Sequence, residues 1–153
     1  MPPAGSPHRP RSCRNSDEGL VVVAVEGKVD EPLGPTVRDK RAEGSEGVDE
    51  RLSFLLKRLE LPMSIPDSIR YQLLHRTVSA VLIAEQFRAR AAVMLVQSFS
   101  PSNKWFEDFE AFAGLFKVQP VVGRLVAIGK FGETQTYLGW CRGDQRFRDA
   151  DRT

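Results

Sequence analysis

Six apolar residues run unbroken from Leu20 to Val25, four of them valine. The run is too short for a buried helix, and β-branched side chains fit a pleated surface, so it reads as a strand. Apolar at every position, it predicts a strand covered on both faces, as in the centre of an α/β sheet. It ends abruptly in Glu26-Gly27-Lys28, after which Pro32, Gly34 and Pro35 stop the ladder and make a loop.

The remaining pattern alternates helix and strand. Residues 38–47, "RDKRAEGSEG", read as a charged, solvated loop. Leu52, Leu55, Leu56 and Leu59 line one face of a helix expected over 48–60. A longer helix is expected over 66–88, with Ser64 as N-cap, Pro66 in the first turn and Asp67 near the positive end of the dipole. "AAVMLVQSF", 91–99, is a second apolar strand. Trp105, Phe109, Phe112 and Phe116 share one face of a further helix and read as core. "GRLVAIGKFGETQTYLGWCRG" reads as two strands about a turn at Gly132. The order strand, helix, helix, strand, helix, strand, strand predicts a mixed α/β fold: a central sheet flanked by helices.

Composition narrows the classes. A chain of 153 residues supports one domain, and 41% hydrophobic with 27% charged content is globular. A net charge of +2 gives no global attraction for nucleic acid, although local patches remain, such as Arg38, Lys40 and Arg41, or Arg88 and Arg90. No apolar run approaches membrane-spanning length, so no membrane partner is expected. Cys13 and Cys141 match no metal or redox spacing, and His8 and His75 are the sole histidines. Free thiols suit a reducing cytoplasm. A Gly-rich phosphate loop, a nucleophile elbow and a Cys-His pair are all lacking in the sequence.

Residues 1–18 hold four of the ten prolines, Arg9, Arg11 and Arg14, and no signal-peptide h-region. They read as a disordered leader, with a domain over 19–148 and a tail over 149–153. The leader's composition fits a start that is not native to the domain. The sheet is then expected to be incomplete at its N-terminal side, with an exposed edge through which two copies could pair.

Residues two apart on a strand point the same way, so Glu26 and Lys28 project together. A carboxylate can ligate Mg²⁺, and an adjacent ammonium can orient a water or neutralise charge on a phosphate. On the long helix, at 100° per residue, Ser68, Gln72, His75, Arg76 and Ser79 gather into one polar stripe. Gln72 and Arg76, one turn apart, can reach the same phosphate or water.

With these residues in view, "AVEGKVDEPLGPTV", "RYQLLHRTVSAV", "AVMLVQSFSP" and "YLGWCRGD" together resemble the PD-(D/E)XK nuclease-like superfamily, the restriction-endonuclease-like fold, and an uncharacterised bacterial domain family within it, over about residues 19–148. The resemblance implies a mixed four-stranded sheet in αβββαβ order and Mg²⁺- or Mn²⁺-dependent hydrolysis of DNA or RNA. It implies Glu26 as metal ligand, Lys28 as catalytic lysine, and Gln72 as the glutamine of exonuclease-type members. Where those members carry a tyrosine four residues on, this chain has Arg76. The superfamily's upstream aspartate has Asp17 as its stand-in, in leader composition and not on a strand. A single carboxylate makes a poor Mg²⁺ site, which leaves a second expectation: the same fold as a non-catalytic module binding nucleic acid or protein.

Overall fold

The computed structural model describes residues 19–148. The four strands are β1 (Val21–Lys28), β2 (Ala91–Ser98), β3 (Leu125–Phe131) and β4 (Thr134–Arg142). The helices are α1 (Val37–Ala42), α2 (Val48–Arg58), α3 (Tyr71–Gln86) and α4 (Phe106–Gly114), followed by a 3-10 turn at Gln145–Phe147. The strands form one mixed sheet in the order β1-β2-β4-β3. β1, β2 and β4 run parallel, with Val25 beside Leu95 and Leu95 beside Gly139, while β3 returns antiparallel at the far edge. Parallel neighbours need crossovers, and the chain supplies them: α1 to α3 join β1 to β2, while α4 and β3 lie between β2 and β4.

Strand alternation divides the sheet into two unlike faces. Val22 and Ala24 of β1, Met94 and Val96 of β2, and Leu138 and Trp140 of β4 enter one apolar core with Leu73 and Leu74 of α3 and Phe109 and Phe112 of α4. Trp140 meets Phe106 edge-on at 5.3 Å and Phe109 at 5.5 Å. Every described α-helix contributes to this core, so all four stand on the same side of the sheet.

The mixed α/β sheet and the two strands about Gly132 stand as the sequence suggests. Three features differ. Among the described residues β1 is an edge strand, in line with the expected open edge but not with a strand covered on both faces: Val21, Val23 and Val25 are exposed away from the helices, because a valine run carries no sign of which face will be covered. Residues 38–47 are not all loop, since α1 forms there under a capping box: Thr36 Oγ1 accepts from the Asp39 amide at 3.2 Å, and Asp39 accepts from the Thr36 amide at 2.9 Å. The long helix begins at Tyr71, without Ser64 as its cap. Residues just before it are drawn into extended pairing with the β1–α1 loop: Val37 donates to the Ile69 carbonyl at 2.9 Å, and Tyr71 to that of Pro35 at 3.0 Å.

The other boundaries shift by a few residues, with α2 ending at Arg58 and α4 spanning Phe106–Gly114. The described order places one strand before α3, where αβββαβ has three. Asp17, the leader and the tail lie outside the described residues. Among those described, no helix is long and apolar enough to cross a membrane.

Candidate functional site

Glu26 and Lys28 occupy the C-terminal end of β1, on the helix-bearing side. Parity alone brings them together: Lys28 Nζ lies 3.1 Å from Glu26 Oε1, and each side chain is 11% exposed. From α3, Gln72 Nε2 donates to the same Oε1 at 2.8 Å. One turn on, Arg76 Nε pairs with Glu26 Oε2 at 3.0 Å. Lys28, Gln72 and Arg76 therefore converge on the Glu26 carboxylate, while Asp17 lies outside the described residues. Among the described residues no hydrogen bond engages the Nη groups of Arg76, whose side chain is 47% exposed.

The charge balance is uneven. One carboxylate faces one ammonium and one guanidinium, so the cluster is one positive charge in excess. Gln72 adds a polar demand of its own, since its Oε1 is buried without a partner. Gly34, at φ +73°, brings the β1–α1 loop against this amide: a Cβ built there would lie 3.0 Å from Oε1. The loop thus closes over Gln72 only because residue 34 has no side chain.

A cavity of about 380 Å³ opens beside the cluster, lined by Gly34, Pro35, Lys40, Tyr71, Gln72, His75 and Arg76. Gln72 and Arg76 belong to both cavity and cluster, whereas Glu26 and Lys28 stand behind them. Tyr71 and His75 stack with ring centres 6.4 Å apart, and the Lys40 ammonium lies 5.8 Å above the Tyr71 ring. Ser68 precedes the helix, and Ser79 turns its hydroxyl back onto the His75 carbonyl at 2.8 Å, so neither joins the cluster. Lys40 and the Gly34-Pro35 step read in the sequence only as loop, and Tyr71 carries no mark of its own, so none of them was expected at the site. The signal for them was the glycine and proline directly after the E-x-K strand.

Does this donor set suit a divalent cation? Hard cations want several oxygen ligands, and bringing in Mg²⁺ means stripping at least one donor from Glu26. Both Glu26 oxygens already face donors, two of which are cations. Of the next carboxylates on the loop, Asp30 pairs with Arg148 at 2.6 Å, and Glu31 accepts from the Val29 and Asp30 amides at 3.1 Å. Its carboxyl sits below the usual range, chiefly through its own backbone amide and also through those two and Lys28. Among the described residues, no group of three or more His, Cys, Asp or Glu could hold a metal ion. This ligand set does not fit Mg²⁺ or Mn²⁺.

The arrangement instead suits an anion. Arg76 presents two Nη groups that make no hydrogen bond among the described residues, Lys40 stands at the cavity wall paired with Glu43 at 2.9 Å, and the apolar ring faces of Tyr71 and His75 form the side.

No curated protein and no solved structure matches the chain. Residues 12–145 match a family model described as a domain of unknown function (DUF6946), and the chain belongs to that family.

Proposed function

We propose that the Glu26–Lys28–Gln72–Arg76 cluster binds the phosphodiester backbone of a nucleic acid, in a PD-(D/E)XK nuclease-like domain that binds and does not cut. One observation carries this: a single carboxylate orients two cations and leaves the Arg76 fork open to the cavity. Glu26 acts as the anchor, Arg76 as the phosphate hook and Lys28 as a fixed charge behind it. Tyr71 and His75 offer ring faces for a sugar or base next to the held phosphate. The resemblance of "AVEGKVDEPLGPTV" and "RYQLLHRTVSAV" to nucleases supports the choice of ligand class. A cytoplasmic setting suits it, and Cys141 is a free thiol.

Cleavage is the second reading. It is favoured by one specific feature: E-x-K and a helix glutamine meet at one point, and Gln72 Oε1 lacks a donor.

Fluorescence-anisotropy titration with labelled single-stranded and duplex DNA and RNA at low salt separates the two. Arg76→Ala should weaken binding by about tenfold and lower the salt slope by about one, as loss of one phosphate contact does. Equal affinities in wild type, Arg76→Ala and Lys28→Met would overturn the proposal. In the same samples with Mg²⁺ or Mn²⁺, the oligonucleotides should stay intact. Cutting that disappears in Glu26→Ala and Lys28→Ala would establish the second reading instead.

A further inference from the structure

Among the described residues no helix stands on the sheet face opposite the core, where Val21, Val23, Val25 and Leu125 are exposed while Val93 at the centre is buried. At one level across the strands this face presents Val23, Val93, Tyr137 and Ala127; at the next, Val25, Leu95, Gly139 and Leu125. Val25 is 54% exposed and Leu125 55%. Leu125 and Leu95 lean over Gly139, where a built Cβ would lie 2.6 and 2.9 Å from their methyls. Beside the Val23–Val25 ridge lies a hollow of about 390 Å³ walled by Val21, Val93, Leu125 and Tyr137 together with Arg90 and Gln135. Charge on this face is sparse: Arg90 lines the hollow, and Lys130 stands opposite Gln135. A monomer seldom presents so much contiguous apolar surface to water without a partner.

The chain outside the described residues lacks the side chains to cover this face. Residues 1–18 contain a single large apolar residue, Met1, and residues 149–153 read Asp-Ala-Asp-Arg-Thr. Neither can lay an aliphatic layer over four strands.

We propose that a second copy of this chain covers the face, the two sheets packing face to face about a two-fold axis. Three observations select a copy over an unrelated partner. The rows through Val23 and Val25 carry no charge, so they can meet their copies without electrostatic conflict, with Arg90 set apart in the hollow. A ridge and a hollow lie side by side on the same face, which is what a self-complementary two-fold contact needs. The area is of the right order: four strands about 4.8 Å apart and eight residues at about 3.3 Å give a footprint of roughly 500 Å², against ~800 Å² per partner in a standard interface. Two such faces would pack about 10 Å apart with strands roughly 30° askew. The Glu26 cluster, on the opposite side of each sheet, stays open in this arrangement.

Sedimentation velocity of the full chain over a range of concentrations tests the idea. Wild type should sediment as a dimer. Val25→Lys and Leu125→Lys should each raise the dissociation constant by at least about tenfold, with unchanged far-UV circular dichroism. These two positions lie on opposite edge strands, so they also separate face packing from edge pairing. A dimer joined through the outer edge of β1 survives Leu125→Lys, and that result would overturn the proposal. A wild type that stays monomeric, or that binds a hydrophobic dye at its bare face, would do the same. Should the lysine variants not fold, Val25→Thr and Leu125→Gln keep the shape and must shift the equilibrium in the same direction.

Discussion

Glu26 is surrounded by donors from two elements, and that geometry sets what removing it does. Glu26→Ala leaves the mostly buried Lys28 and the half-exposed Arg76 without their common anion, which should cost about 1–3 kcal/mol. Adding Lys28→Met should recover part of the loss, because the unopposed charge is removed along with its partner. Urea unfolding measures both; a Glu26→Ala chain as stable as wild type would contradict the assigned pairing. Glu26→Gln keeps the shape while removing a negative charge, and should bind an oligonucleotide more tightly than wild type. At this scale the sequence was highly legible. A period of two put Glu26 and Lys28 on one side, and a period of 3.6 put Gln72 and Arg76 on one helix face. What it hid was the cavity wall, because Lys40 and Tyr71 reach it only through the loop folding back over Gln72.

Elements that mark themselves by periodicity were the easiest to find, and α1 shows the limit. Its six residues, Val-Arg-Asp-Lys-Arg-Ala, hold one buried apolar side chain, Val37, so no apolar stripe announces a helix. Local chemistry creates it instead. Thr36→Ala removes one arm of the capping box and should speed amide exchange across Asp39–Glu43, while α3 amides keep their protection. Faster exchange throughout α3 as well would mean that α1 is coupled to the long helix more tightly than its few contacts imply. α4 is the opposite case. Phe109 is fully buried against Trp140, so Phe109→Ala should cost about 3–5 kcal/mol, read from the denaturation midpoint. β1 lies between these cases: the strand was plain from its valines, but its place at the edge was not, since coverage is decided by neighbours far off in sequence.

For the whole molecule, two surfaces face opposite ways: a pocket bordered by Arg76 and Lys40 on the helix side and a largely aliphatic sheet face behind it. Acid should weaken the fold in a defined window. The Asp39 carboxyl is held below its ordinary 3.8 by the Thr36 hydroxyl and backbone amide, and Glu31 below 4.5 by backbone amides. A depressed folded value means stability that is present above the ordinary value and lost as pH falls through the folded one. Melting temperature should therefore drop from pH 5 toward pH 3, and Asp39→Asn should flatten part of that slope; an unchanged slope would remove Asp39 from the account. Both groups are exposed, so the effect of each is small. The overall class was readable from the alternation of helix and strand. That every helix would gather on one side of the sheet was not, because helix–sheet docking leaves no local imprint in sequence.

The most direct test of the central claim is the salt dependence of oligonucleotide binding by wild type and Arg76→Ala, measured side by side. The account predicts an affinity about ten times lower in the variant, with a log–log salt slope shallower by about one. Superimposable curves would show that the open guanidinium fork beside Glu26 does not hold a phosphate.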